Sequence, residues 1–571
     1  MVDLAAAIGP RSERRGRCLP VNATWVLTIV LSALVFASFW VWEGQGLNLV
    51  FTCSVTAALG AFVLLISRRP LFAATVVASV IVLVNATAVA KLRTIGMTLH
   101  AYDIIFYLGS WSTISYLWTA APRYVAGFVG GVALMLMLAI AAWRLDGVRV
   151  PRRRVMLGFS AAVLAVAVAG IAKPDRRQTQ YYWSAMHVSS FYLSWAETLE
   201  TLWRGQLIEA AEASSAPPFA IPAVCEPAQK PPHIVLVHQE SIVQPSLFPD
   251  LKYDRGVDDF FRSGDGRLHK MRVETYGGAS WLTEFSILSG LSTHAFGGMR
   301  PFVQSLLAGK VRDTLPEFLG RCGYRNVLFY PMLRNFVSNS RFYDAVGLRE
   351  VYDMRAQGAR SEVERDRFYY ANALAEMERH VRSSDKPLFT FIQTMSAHWP
   401  YNYTYEPEMN VAGGGEGTDP EMHEYLRRLS IAKLDFDEFR SELRRRFPGE
   451  PILLVHYGDH HPMATMKYLG YSPDTQVEEV DLDWDSIGFI TYYAVEALNF
   501  PQRPLPEHDV LDVPYLGAVI LQQAGLPLSE PYKERLRLME VCHGVYHGCS
   551  RRNEILGFHR RLIESNLIRQ R

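Results

Sequence analysis

The chain has 571 residues, a net charge of +1 and 49% hydrophobic residues. That length calls for more than one domain, and the balanced charge excludes a protein that holds nucleic acid through a basic field. The long apolar runs are crowded into the first third, which excludes a uniformly soluble chain.

Five apolar segments come first, at residues 23–42, 49–66, 71–90, 124–143 and 155–172. Each has the length needed to cross a bilayer as a helix. A cleaved signal peptide explains one such run, not five, and core helices of a soluble domain would keep a polar face. Arg11, Arg14, Arg15 and Arg17 precede the first span. Arg68 and Arg69 lie between the second and third, and Arg144, Arg149, Arg152, Arg153 and Arg154 between the fourth and fifth. The positive-inside rule places all three clusters in the cytoplasm. Five spans then put everything after Ala172 outside. The expected organisation is a membrane domain over 1–172, a connector and linker over 173–230, and an extracytoplasmic domain over 231–571. Residues 98–118, rich in Tyr and Trp and carrying His100 and Asp103, fall on the outer side as an interfacial segment or a loop. The connector is punctuated by Tyr181, Tyr182, Trp183, Phe191, Tyr192, Trp195 and Trp203, which predicts a helix. Ser214-Ser215-Ala216-Pro217-Pro218 reads as a linker.

After Pro231 apolar strands alternate with helical patterns. Strands are predicted at 234–238, 271–276, 326–330, 388–394, 452–457 and 487–493, and helices at 315–322, 367–381, 421–446 and 513–524, the last closed by Gly525. This alternation predicts an α/β domain with a largely parallel sheet. Gly277-Gly278 and Gly413-Gly414-Gly415 lack the pattern of a nucleotide-binding loop. Cys225, Cys322, Cys542 and Cys549 would face an oxidising compartment. Cys542 and Cys549 close a short loop and are the expected disulfide. A zinc site there with His543 and His547 lacks a paired CxxC.

Chemistry concentrates at strand ends. The run Ile452-Leu453-Leu454-Val455 leads into His456-Tyr457-Gly458-Asp459-His460-His461, and Ile234-Val235-Leu236-Val237 leads into His238-Gln239-Glu240-Ser241. Ligand groups gather at the carboxyl ends of strands in α/β sheets, and Asp, Glu and His there have the character of metal ligands. Between them lies Tyr276-Gly277-Gly278-Ala279-Ser280, followed by a helix predicted through 283–291. Small residues bring the backbone close to a ligand, and a helix N-terminus favours an anion. Ser280 beside a metal is a candidate nucleophile for phosphorus. The alternative is a helix cap at Ser280 or Thr283.

These motifs, in this order, resemble the alkaline-phosphatase/sulfatase superfamily. They resemble more closely its lipoteichoic-acid-synthase-like branch of membrane phosphoglycerol transferases. The matching residues are His238-Gln239-Glu240-Ser241, Gly277-Gly278-Ala279-Ser280 with Thr283-Glu284-Phe285, Ser396-Ala397-His398-Trp399-Pro400-Tyr401, and Tyr457-Gly458-Asp459-His460. The resemblance implies that Glu240, Ser280, Asp459 and His460 hold a divalent metal, manganese as in that branch, with zinc or magnesium as alternatives. It implies Ser280 as nucleophile where the branch usually has Thr. His398 would contact the substrate phosphate or act as acid/base. The branch's aromatic-Asn-Arg cluster is replaced by Val337-Ser338-Asn339, which leaves Arg334 or Arg341 for its Arg, and a His of the branch is replaced by Tyr330. Tyr330, Arg334, Asn339, Arg341 and His461 are therefore the expected substrate-binding residues. The implied activity moves a phospho-headgroup from an anionic phospholipid such as phosphatidylglycerol to an envelope or periplasmic glycan, at the bacterial inner membrane. A phosphoethanolamine transferase and a metal-dependent phosphodiesterase are the alternatives. A formylglycine sulfatase needs Pro and Arg two and four residues after its Cys or Ser, and Ser280 is followed there by Leu282 and Glu284.

Overall fold

The computed structural model describes residues 18–43, 46–95, 97–108, 111–172, 187–214, 216–221, 225–227, 229–336, 339–361, 363–472 and 482–570. The chain divides into two compact units. One comprises residues 1–103 and 117–196, the other 104–116 and 197–571.

In the first unit, α1 (Val21–Trp42), α2 (Leu47–Ser67), α3 (Pro70–Ile95), α5 (Pro122–Leu145) and α6 (Arg152–Ala172) are long and apolar enough to cross a membrane, with α4 (Trp111–Ala120) preceding α5. These five match the expected spans, each a little longer than its apolar run. At one end of the unit the Arg-bearing loops are tied together. The Val150 amide donates to the Arg68 carbonyl (3.0 Å), the Arg69 guanidinium to the Asp146 carbonyl (2.8 Å), and the Leu19 amide to the Leu145 carbonyl (2.9 Å). The Asp146 carboxylate accepts the Leu71 and Phe72 amides and so caps α3. Within the same unit, the Glu43 carboxylate accepts the Val188 and Ser189 amides at 2.7 Å each. These are first-turn donors of α7 (His187–Arg204), the predicted connector helix. The division between the two units falls within α7. Tyr181, Tyr182 and Trp183 lie outside the described residues.

The second unit is built on one eight-stranded sheet in the order β4-β3-β5-β1-β6-β7-β2-β8. The strands are β1 (His233–Gln239), β2 (His269–Arg272), β3 (Arg325–Phe329), β4 (Glu350–Tyr352), β5 (Leu388–Gln393), β6 (Ile452–Gly458), β7 (Ile490–Leu498) and β8 (Val510–Asp512). Five of the seven pairings are parallel, and β7 runs antiparallel to both neighbours. Ile234, Val235, Leu236 and Val237 are all fully buried, as a strand covered on both faces requires. Val235 and Val237 share a core with the helices Asp366–Ser383 and Pro420–Arg446.

Three boundaries differ from expectation. β2 stops at Arg272, because residues 275–279 turn to bring Ser280 inward. β7 begins at Ile490, after a 3-10 turn at Ile487–Phe489. The helix predicted at 513–524 is a 3-10 turn at Val513–Tyr515 followed by a helix at Leu516–Gln523. The expected Cys542–Cys549 disulfide is present, and a second one, Cys225–Cys322, spans 97 residues of sequence. Closing a loop that long restrains the unfolded chain. Replacing both Cys225 and Cys322 by Ser should cost on the order of 3–5 kcal/mol. The cost would be read as a lower urea midpoint for proteolysis of the second unit, and an unchanged midpoint would contradict it.

Candidate active site

The register of the two central strands builds the site. β1 and β6 are parallel, with His238 opposite Tyr457 and Gln239 opposite Gly458. The next residue of each chain, Glu240 and Asp459, therefore leaves the sheet side by side. Gly458 is required there: a Cβ on it would run into the Ile242 carbonyl oxygen. The third contribution comes from the turn before α8 (Ser280–Ser289). The Gly277 amide donates to the His461 carbonyl (3.1 Å), which fixes this turn to the end of β6. Ala279 then adopts φ 62°, and Ser241, on the other side of the pocket, φ 57°. A left-handed residue with a side chain costs about 1–2 kcal/mol, and such strain gathers where geometry matters more than comfort.

Ser280 is the first residue of α8, not the residue before the helix. It is half-buried, and its hydroxyl donates to Glu240 Oε2 (2.9 Å) and lies 3.3 Å from His460 Nε2. His460 Nε2 stands 3.3 Å from Glu240 Oε1 and 3.2 Å from Asp459 Oδ2. The expected set Glu240, Ser280, Asp459 and His460 thus converges on one point. Thr283 does not join it. It is fully buried, and its hydroxyl donates to the Asp459 carbonyl (2.7 Å).

The structure adds His238, which has no role of its own in the sequence motif. Its Nε2 lies 3.1 Å from Asp459 Oδ2 and 4.0 Å from Glu240 Oε2. The period-2 rule holds the signal, because His238 and Glu240 are two apart and leave a strand on the same face.

These residues suit a divalent cation. Asp459 Oδ1 accepts the Ser241 and His460 amides (2.7 and 2.8 Å), whereas Oδ2 is buried with no hydrogen bond. His238 Nε2 is likewise buried and unbonded, although Oδ2 is so near. With the ring proton on Nδ1, which faces the Tyr457 hydroxyl (2.8 Å), two buried lone pairs are left facing each other and call for a shared cation. His238, Glu240 and Asp459 offer ligand atoms within 4.8 Å of one another. The ring of His460 is oriented for the same task. Its Nδ1–H donates to the His461 carbonyl (2.9 Å), which turns Nε2 toward the carboxylates. Burial opposes a charge on His460, but Asp459 and Glu240 outweigh it and lift its pKa to about 9. Burial would likewise raise the Glu240 carboxyl, but His460, then His398 and His238, hold it below the usual carboxylate range. The pocket thus attracts positive charge.

His398 lies on the loop after β5, half-buried, close enough to act on the charge of Glu240. The remaining expected substrate residues lie elsewhere or are otherwise engaged. His461 is a correction. It is fully buried, Nε2 donates to the Ile490 carbonyl (2.7 Å), and Nδ1 faces the Thr465 hydroxyl (3.4 Å). Burial lowers its pKa to about 4, so it supports the fold as a neutral ring. Tyr330 is buried edge-to-face against Tyr343, 5.4 Å between centroids. The Tyr343 hydroxyl donates to buried Glu284 (3.2 Å). Arg334 pairs with Asp344 (2.6 Å). Arg341 is exposed. The Asn339 side chain lies outside the described residues.

The family model described as Sulfatase matches residues 271–480. The matched stretch contains Ser280, His398, Asp459 and His460. The same fold appears in the integral membrane lipooligosaccharide phosphoethanolamine transferase A (EptA) of Neisseria meningitidis. That structure is 13% identical with a TM-score of 0.50, over 90% of this chain and 96% of that one. The phosphoglycerol transferase GacH of Streptococcus pyogenes, in complex with sn-glycerol-1-phosphate, is 18% identical over 59% of this chain and 85% of that chain, with a TM-score of 0.46. A Haemophilus influenzae protein described as uncharacterized is 21% identical over 319 residues, 54% of this chain. The match spans about half, 55%, of that relative's length.

Proposed function

We propose that this protein is a membrane-bound transferase. It would move a phospho-headgroup, phosphoglycerol, from an anionic phospholipid such as phosphatidylglycerol to a hydroxyl of an envelope glycan. The observation that carries this reading is the Ser280 hydroxyl, held by Glu240 at the mouth of a buried His/Glu/Asp cluster, in a chain whose other unit has five apolar spans. Spans of that kind would tether the chain to a membrane, where a lipid donor lies.

His238, Glu240, Asp459 and His460 would hold the divalent cation, with Ser280 completing the set; two imidazoles with two carboxylates suit manganese or zinc. When bound, the cation would acidify the Ser280 hydroxyl and offset phosphoryl charge. Ser280 loses its proton to solvent and attacks phosphorus. The Ser280–phosphorus bond forms, and the bond to the diacylglycerol oxygen breaks. His398 protonates that leaving oxygen. In the second displacement His398 takes the proton of the acceptor hydroxyl, the acceptor–phosphorus bond forms, and Ser280 is released to regain its proton. Two in-line displacements at one centre give ping-pong kinetics.

The test supplies full-length protein with phosphatidylglycerol and a purified envelope glycan. Diacylglycerol release with a glycan gain of one glycerophosphate supports the reading. Free glycerol phosphate without glycan modification makes the protein a phosphodiesterase, and headgroup transfer only from phosphatidylethanolamine moves it to the phosphoethanolamine class.

Orientation is a separate prediction. Among the described residues, the two Arg-bearing loops after α2 and α5 are joined at one end of the first unit, with Leu19 tied to the same end, and the positive-inside rule sets that end in the cytoplasm. A reporter fused after Lys173 should be active only when it works outside the cytoplasm. Activity of a cytoplasm-specific reporter at that position overturns the topology.

A further inference from the structure

His398 sits on a long connection. Between β5 and the helix Pro420–Arg446 the chain runs through residues 394–419 with no helix and no strand beyond one isolated bridge at Gly414. A loop of that length is ordinarily mobile unless something orders it. Here buried ionisable side chains do so: Glu424 and Arg427 bind residues 405 and 409, and two others, Arg428 and Asp366, bind the loop on either side of His398 in sequence.

Arg428, on the following helix, has no exposed surface. It gives its donors to the backbone of this loop. Nη1 donates to the His398 carbonyl (2.6 Å), and Nη2 to the carbonyls of Pro400 (2.8 Å) and Tyr403 (3.3 Å). Nε donates to Glu424 Oε1 (3.0 Å), the carboxylate oxygen that also accepts the Tyr405 amide (2.8 Å). The guanidinium lies 5.2, 4.7 and 5.2 Å from the ring centres of Tyr401, Tyr403 and Tyr405. On the other side Asp366 is fully buried, and its Oδ1 accepts the amides of Met395 (3.0 Å) and Ser396 (2.9 Å). The Asp366 amide in turn donates to the Ser396 hydroxyl oxygen (2.9 Å).

A guanidinium buried this completely is tolerated only when its fork is matched by acceptors. Those acceptors are backbone carbonyls at and just after the histidine. Neither Arg428 nor Asp366 is among the residues converging on Ser280. We propose that Arg428, opposed by Asp366, is the positioning residue for His398: it fixes the backbone that presents the imidazole to the phosphoryl group. This rests on the reading of His398 as the group that meets that phosphate. A lysine in place of Arg428 would carry the charge without the fork, so Arg428→Lys removes the match and keeps the sign.

The experiment uses the full-length, metal-loaded protein in phosphatidylglycerol vesicles. Arg428→Lys should lower kcat about 100-fold, the loss that follows when a reacting group is displaced by about 1 Å. His398→Asn should lose as much or more, and the double variant should be no worse than His398→Asn alone, because positioning a missing ring has no further cost. Amide exchange, read without substrate, should quicken across 395–403 in Arg428→Lys and stay unchanged across 233–239. Losses that multiply in the double variant overturn the proposal, as does unchanged exchange in the loop. Should Arg428→Lys not fold, Asp366→Ala removes the acceptor of the Met395 and Ser396 amides, loosens the same loop from its amide side and is held to the same outcomes. If the wild type shows no transfer, the function reading fails, and the exchange comparison still decides whether Arg428 holds the loop.

Discussion

Ser280→Ala should abolish headgroup transfer, by at least about a thousandfold, because losing a nucleophile removes the covalent route altogether. The fold should survive. Ser280 is half-buried at the first position of α8, so trimming one oxygen opens no core cavity. Its hydroxyl is the one that reaches Glu240 Oε2 and faces His460 Nε2. Ser280→Thr should keep part of the activity, since the hydroxyl is retained and the added methyl sits at a partly open position. Thr283→Ala is the informative control. The Thr283 hydroxyl is committed to the Asp459 carbonyl, so its loss should cost about 1 kcal/mol of stability and leave a functioning nucleophile. Peptide mass mapping after incubation with phosphatidylglycerol decides between them. The adduct is expected on Ser280. An adduct on Thr283, or normal turnover by Ser280→Ala, refutes the assignment.

Why Ser280 is legible in the sequence and other parts are not follows from how each signal is encoded. The spans, the central strands and the long helices are written as extended apolar runs or periodic patterns, and the structure places them within a few residues of expectation. β4 and β8 have three residues each, too short for any period to register. The Cys225–Cys322 pairing depends on two residues 97 apart meeting in space, which spacing alone does not disclose. In the site, Glu240, Asp459 and His460 are readable because each lies just past the end of an apolar strand. His238 is harder, since a histidine inside a buried strand reads as core until the facing carboxylate is known. His461 misleads for the converse reason: it adjoins two site residues in sequence, yet its ring turns to the Ile490 carbonyl. Arg428 gives no local signal at all. It sits in an Arg-rich, amphipathic helix, and only the fold shows that its guanidinium is buried under the His398 loop.

Asp459→Asn should remove both bound metal and turnover, the latter again by at least about a thousandfold. The substitution is conservative in shape. Asp459 Oδ1 accepts two backbone amides, and the Asn carbonyl can keep them, so the end of β6 stays in place. What changes is the atom that faces the pocket. Oδ2 is the buried oxygen without a hydrogen bond, 3.1 Å from His238 Nε2 and 3.2 Å from His460 Nε2. In the variant an uncharged NH2 group occupies that place and meets the two imidazoles as a donor. The pocket loses a negative charge and one ligand atom together. Stability provides a readout separate from activity. A ligand that binds only the folded state stabilises it by about 2.7 kcal/mol at a hundredfold excess over Kd. Manganese or zinc should therefore raise the melting temperature of the wild-type protein, and a chelator should lower it. Neither should move the melting temperature of Asp459→Asn. Full metal content by elemental analysis together with a wild-type rate in this variant would rule out Asp459 as a ligand.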